Sequence, residues 1–300
     1  MVSVDALFCG LPRVAAMTDS SSLLSVQNHS RDVAGLRYVY PVISRRAGGV
    51  SVGINLNTNN ACNWRCVYCQ VPDLHRGDAP PVDLGLLRSE LSGFLTELQE
   101  GAFLRDRVPE DARRIVDVAL SGNGEPTSAR AFAEVIDVVR EVLQARGLLD
   151  TIPLRLITNG SRILRPAVSE GLRRMAAASG EIWFKLDAGS PAWISRINNV
   201  SVTSTSVAQN LRICASLCPT WVQTCAFRWD THVPLHEDLD AYLQILRDAG
   251  PGKLLGVHLY SLARPSLQPE AVRLQRLSAA ELESLAGPIR ALGLAVRVSS

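Results

Sequence analysis

"VSVGINLNTNNACNWRCVYCQ", residues 50–70, joins a strand-like run to three closely spaced thiols. The run "VSVGINLN" (50–57) passes through a polar loop into Cys62, Cys66 and Cys69, three of the chain's seven cysteines. A structural zinc site takes four ligands, usually as two well-separated CxxC pairs. Here one tight triplet stands alone. Its spacing, three residues and then two, lets a single loop wrap three thiolates around one face of an iron–sulfur cube. Three ligands on a four-iron cube leave one iron without a protein ligand, free to bind a substrate or cofactor. A zinc site completed by His75 is the competing reading. Burial of the cysteines as small apolar side chains is the plainer one.

Working outward, strand-like runs recur as "IVDVALSG" (115–122), "PLRLITNG" (153–160), "EIWFKLDAG" (181–189), "TWVQTCAF" (220–227) and "LLGVHLYS" (254–261). Helical periodicity fills the intervals. Asp83 can cap a segment carrying Leu84, Leu87, Leu91, Leu95 and Leu98 on one face, stopped by Gly101. Val135, Val139 and Val142 repeat the pattern, as do Leu239, Leu243 and Leu246. Ser278 and Glu281 form a capping box ahead of the last helix, and "LAVRV" (294–298) offers one more strand. Alternation of this kind predicts an α/β fold with parallel strands joined by right-handed crossovers. The polar motifs "SGNGEP", "TNG" and "LDAG" all fall at the C-terminal ends of strands. A parallel barrel and an open doubly wound sheet both place their sites there, so the pattern argues for a site more firmly than for closure.

With 47% hydrophobic residues and 20% charged over 300 residues, the chain can bury a sizeable core, which excludes global disorder. The net charge of +2 gives no strong electrostatic pull on nucleic acid or membrane. Lys185 and Lys253 are the only lysines. No run of eighteen apolar residues reads as a membrane span. The N-terminal stretch, with Asp5 in its apolar run, does not read as a signal peptide, and Met17 is an alternative start to Met1. Seven unevenly spaced cysteines do not suggest a secreted disulfide framework, so a cytoplasmic, reduced-thiol protein is expected.

The CxxxCxxC triplet with Tyr68 before its last cysteine resembles the radical S-adenosylmethionine superfamily. The resemblance implies a partial or complete parallel (β/α) barrel of the radical S-adenosylmethionine type over 51–300, with 1–50 as an N-terminal cap. It implies a [4Fe-4S] cluster on Cys62, Cys66 and Cys69 whose open iron chelates S-adenosyl-L-methionine. Reductive cleavage then yields a 5′-deoxyadenosyl radical that abstracts hydrogen from a substrate. "SGNGEPT" is similar to the family's strand end that holds the methionine amino group, matching best at Gly122, Gly124, Glu125 and Pro126. By the same resemblance Tyr68 packs near the adenine, and Asn159 with Asp187 faces the ribose. A low-potential donor such as flavodoxin or ferredoxin is implied as partner.

"FKLDAG" (184–189) and "INN" (197–199) resemble the branch containing the wyosine synthases, where a lysine is proposed to hold pyruvate. Lys185 can serve that way or pair with Asp187, which strand alternation puts on the same side. Cysteines for the branch's second cluster are missing upstream, where only Cys9 occurs. Nucleic acid as a partner rests on a mild patch of Arg155, Arg162, Arg165, Arg173 and Arg174. Cys214, Cys218 and Cys225 are read as core, with an auxiliary cluster as the alternative. A glycyl-radical activating enzyme and a non-catalytic zinc or iron protein complete the competing functions.

Overall fold

The computed structural model describes residues 23, 24, 34–44 and 48–299; Cys9 and Met17 lie outside them. Eight strands, β1 (Val39–Ser44), β2 (Gly49–Ile54), β3 (Ile115–Leu120), β4 (Leu154–Thr158), β5 (Glu181–Lys185), β6 (Thr220–Cys225), β7 (Gly256–Tyr260) and β8 (Val296–Ser299), form one sheet. Their order in space is their order in the chain. β1 and β2 pair antiparallel, and every later pair is parallel. A doubly wound sheet reverses its strand order at a switch point. This sheet never reverses, so its crossovers keep to one side and the other side closes inward. Among the described residues β1 and β8 do not pair, and the barrel is partial.

Helices α1 (Leu84–Glu100), α2 (Phe132–Ala145), α3 (Pro166–Ala176), α4 (Pro191–Asn198), α5 (Ser204–Leu217), α6 (Leu239–Ala249) and α7 (Ala279–Arg290) join the strands. The long ones form a continuous outer layer: α1 packs on α2, α2 on α3, α3 on α5 and α5 on α6. Asp83 caps α1 by accepting the Leu86 N–H at 2.9 Å, worth about 1 kcal/mol, and Leu87, Leu91, Leu95 and Leu98 are buried beneath it. The Ser278–Glu281 capping box opens α7.

Strand alternation sorts the side chains. Val52, Val118, Leu154, Leu156, Ile182, Phe184 and Val222 are buried in the apolar core. Ser51, Asp117, Arg155, Ile157, Trp183, Lys185, Gln223 and Cys225, at alternating positions, line the barrel cavity instead. The stretch read as an N-terminal cap supplies the edge strand β1, so the sheet begins ahead of residue 51. Among the described residues no helix is long and apolar enough to cross a membrane.

Candidate active site

The loop leaving β2 carries the three cysteines and is held from two sides. On one side the N–H groups of Arg65 and Val67 donate to the carbonyls of Asn198 and Ile197, at the C-terminal end of α4, at 3.1 and 2.8 Å. Asn199 then turns the chain with φ +52°, and its Nδ2 donates to the Arg65 carbonyl at 2.9 Å. From the other side the segment after β7 folds over the loop. Ser266 Oγ donates to the carbonyl of Val67 at 2.7 Å, and the Leu267 N–H donates to that of Cys69 at 2.9 Å. Arg65 and Glu270 close the clamp with two parallel bonds of 2.9 and 2.7 Å, the strong bidentate form of an ion pair.

All three thiols are free and face one cavity of about 1260 Å³. Cys66 accepts a hydrogen bond from Asn198 Nδ2 at 3.3 Å, and Cys62 one from the Trp64 N–H at 3.4 Å. Burial pushes the thiol of Cys62 up to about 11 and that of Cys66 up to about 12. Bound iron would reverse this, since a coordinating thiol is deprotonated by the metal's charge. His75 is exposed, and among the described residues no three His, Cys, Asp or Glu side chains are arranged to hold one metal ion. Zinc completed by His75 is therefore not built here. Three thiols on one loop, two of them receiving N–H groups, suit an iron–sulfur cube, whose thiolates sit on separate irons.

The next rim motif approaches this loop so closely that only glycine fits. A Cβ on Gly124 would lie 2.1 Å from the Ala61 carbonyl oxygen and 2.6 Å from Asn57 Nδ2. Gly122, at φ +148°, would place one 2.3 Å from Asn55 Oδ1. That Asn55 oxygen instead accepts the N–H groups of Asn57 and Asn123 at 3.1 and 3.0 Å. Glu125 is buried and ties two strand ends together. Its Oε1 accepts from Thr127 N–H (3.1 Å), Thr127 Oγ1 (2.5 Å) and Thr158 Oγ1 (2.6 Å), and its Oε2 from Asn159 N–H at 2.7 Å. Burial raises its carboxyl pKa, against the pull of these donors. Asn159 Nδ2 in turn donates to Asn63 Oδ1, inside the cysteine loop, at 2.9 Å.

Asp187 is the hub behind the thiols. Its side chain is fully buried. Oδ2 accepts from Tyr68 OH at 2.6 Å and Asn198 Nδ2 at 2.9 Å, with Lys185 Nζ at 3.4 Å; Oδ1 accepts the Cys225 N–H at 3.1 Å. Lys185 also contacts the Tyr68 hydroxyl and lies 4.4 Å from the centre of its ring. Burial works against the ammonium and is the largest single influence, yet Asp187 together with Tyr260, Cys66 and Cys225 outweighs it and holds the Lys185 pKa above its ordinary value. The ion-pair reading of Lys185 is thus the one the structure forms.

Of the residues expected from the sequence, Cys62, Cys66, Cys69, Tyr68, Gly122, Gly124, Glu125 and Asn159 line the one cavity. Asp187 and Pro126 do not. The first is sealed in its network, and the second is buried at the start of a short 3-10 turn. Sequence reading missed Asn63 and Glu270, because each acts through a partner distant in the chain, and it noted Asn198 only within the "INN" resemblance, without a role. The arginine patch does not assemble as a free cationic surface. Arg155 lies inside the barrel, paired with Asp117 and Glu181, while Arg162 and Arg165 pair with Asp78. Arg173 and Arg174 pair with Glu170 on their own helix. Cys214 and Cys218 are buried in the core, and Cys225 faces the cavity from a strand, so the three do not converge on one site.

A curled sheet wound in one direction, with the thiol loop following its first parallel strand, makes a partial (β/α) barrel, a fold the chain shares with a solved structure. Among solved structures, that of TYW1 with a lysine-pyruvate adduct bound is 16% identical, with TM-score 0.55 over 82% of this chain and 74% of that one. The cobalamin-dependent S-adenosylmethionine radical enzyme OxsB is 15% identical, with TM-score 0.44 over 79% of this chain and 30% of that one. Among curated proteins, UPF0026 protein slr1464 of Synechocystis sp. is 26% identical over 162 residues, 53% of this chain and 52% of that protein. GTPase Obg of Brachyspira hyodysenteriae is 26% identical over 152 residues, 50% of this chain but 19% of that protein. The chain thus spans about half or less of the curated relatives it matches. No family model matches it.

Proposed function

We propose that the chain is a radical S-adenosylmethionine enzyme in which Cys62, Cys66 and Cys69 hold a [4Fe-4S] cluster. The observation that carries this reading is the set of three free thiols on one doubly clamped loop, opening onto a barrel cavity of about 1260 Å³. That volume exceeds the usual range for one small ligand, ~300–1,000 Å³, and leaves room for a cofactor and a substrate together. Cys62, Cys66 and Cys69 would hold the cluster, which, once reduced and with S-adenosyl-L-methionine bound, would supply the one electron that splits the sulfonium into methionine and a 5′-deoxyadenosyl radical able to take a hydrogen atom from substrate. A low-potential protein such as flavodoxin or ferredoxin delivers that electron.

The chain's own residues position and shield. Gly122 and Gly124 let the rim turn close directly on the thiol loop beside the cavity, where the cofactor's methionine end would lie, and Glu125 fixes that turn against β4. Tyr68 presents its ring on the cavity wall, held by Asp187 and Lys185. The curved sheet walls the cavity on one side, which limits water's access to reactive species there. A lysine adduct like that in the TYW1 structure is not favoured here. Lys185 is already engaged by the Asp187 carboxylate and the Tyr68 hydroxyl, and an ammonium held in an ion pair is a poor nucleophile.

Anaerobic reconstitution tests the reading. Four irons with sulfide and a brown chromophore are expected, with 5′-deoxyadenosine formed on reduction. Cys66→Ala should lose both. One zinc per chain without visible absorbance, or undiminished cofactor cleavage by Cys66→Ala, would remove it.

A further inference from the structure

The inner wall of the barrel carries a polar group that neither cluster nor cofactor chemistry explains. Gln223, on β6, is 7% exposed and lines the cavity. Its Nε2 donates to the Tyr260 hydroxyl at 2.9 Å, while its Oε1 is buried with no donor among the described residues. A buried acceptor left without a partner costs about 1–3 kcal/mol, so such an atom on a cavity wall points to a ligand that completes it. Asn123 Oδ1 is a similar acceptor on this wall, but it belongs to the rim turn around Gly122 and Gly124.

Beside Gln223 stands Lys185. The two are direct partners in the β5–β6 register, about 4.8 Å apart by strand spacing, and both face the cavity. A lysine ammonium has three donors, and Lys185 directs two of them at Tyr68 and Asp187, leaving one. The wall therefore offers one donor and one acceptor side by side. The charges farther along are already matched within the protein. Arg155 is shared between Asp117 and Glu181, and Ser51 donates to Asp117. Nothing there calls for an ionic ligand.

We propose that Lys185 and Gln223 form a substrate-recognition subsite for a neutral primary amide or lactam. The carbonyl accepts from Lys185 Nζ and the adjacent N–H donates to Gln223 Oε1. The subsite rests on the proposed function only in that it shares the cavity, and it selects substrate by hydrogen-bond pattern rather than by charge.

The test uses the full chain, anaerobically reconstituted with S-adenosyl-L-methionine, and four probes of one shape. Benzamide offers both groups, acetophenone only the acceptor, benzoate a negative charge and benzylamine a positive one. Saturation-transfer NMR should detect benzamide on the native protein and bind acetophenone and benzoate at least tenfold more weakly. Gln223→Leu should weaken benzamide about tenfold, the loss of one hydrogen bond of ~1.4 kcal/mol, while cluster absorbance and 5′-deoxyadenosine release stay at native levels. Gln223→Glu, which keeps the side chain's length, should turn the preference toward benzylamine. No transfer to benzamide, equal binding of acetophenone, or native benzamide binding by Gln223→Leu would each overturn the subsite. Loss of the chromophore in the native chain would instead overturn the cluster reading, so the two failures are distinguishable.

Discussion

Replacing Asp187 with alanine asks how much of the thiol cradle rests on one carboxylate. In the native chain that carboxylate meets Tyr68, Asn198, Lys185 and the backbone of Cys225, with no exposure to solvent. Removing one partner of a buried ion pair costs about 3–5 kcal/mol, because the other charge stays behind uncompensated. Each orphaned neutral donor would add about 1–3 kcal/mol alone. These terms belong to one network and do not sum. Asn198 keeps its bond to Cys66, and Lys185, 18% exposed, can draw water from the cavity. The expected loss for Asp187→Ala is therefore ~3–5 kcal/mol in all. Asp187→Asn keeps the size and an acceptor for the Cys225 N–H but loses the charge, so it should cost less. Urea unfolding of the metal-free chain reads both values without reference to iron. A loss below about 1 kcal/mol for the alanine variant, the level of an exposed ion pair, would refute the reasoning.

Two further outcomes follow from the same contacts. Gly124→Ala drives a methyl group into the Ala61 carbonyl, so the thiol loop must shift; overpacking of this sort costs about 1–3 kcal/mol, and iron per chain after reconstitution should fall while far-ultraviolet circular dichroism stays native. Full iron content in that variant would contradict the close fit. Hydrogen bonding from Arg65 holds the Glu270 carboxyl below its ordinary value, so its stabilisation is present above the unfolded value, about 4.3, and is lost as pH falls through the folded one. The stability gap between the native chain and Glu270→Gln should close on acidification below pH ~4 and stay open near neutrality; a gap independent of pH would show that the clamp is not ionic.

Much of the scaffold was readable from the chain. The Asp83 cap, the Ser278–Glu281 box and the leucine faces are local signals, carried by spacing within a turn or two. Closure was not readable, because it depends on which strands become neighbours, and only the unreversed order decides between a wound barrel and a two-sided sheet. The site divides in the same way. Cys62, Cys66 and Cys69 announce themselves by spacing, and Gly122 and Gly124 by type. Asp187 is expected near the ribose by resemblance alone, and its bonds to Tyr68, Asn198, Lys185 and Cys225 have no sign in the sequence beyond the alternation that pairs it with Lys185. Asn198 shows only as part of "INN", which does not tell its role, and Glu270 carries no local sign at all. Their roles arise from partners 132 and 205 positions away, at Cys66 and Arg65. The arginines between 155 and 174 looked alike as letters but were separated by strand direction and nearby acids.

The clamp over the ligand loop imposes an order on biogenesis. Arg65 leaves the ribosome 205 residues before Glu270 does. At ~5–20 residues per second, that is an interval of ~10–40 s in which three naked sulfurs travel on a nascent chain with half of their bracket unmade. The finished bracket around the loop is therefore a property of the full-length chain, since Glu270 must emerge before Arg65 has its partner.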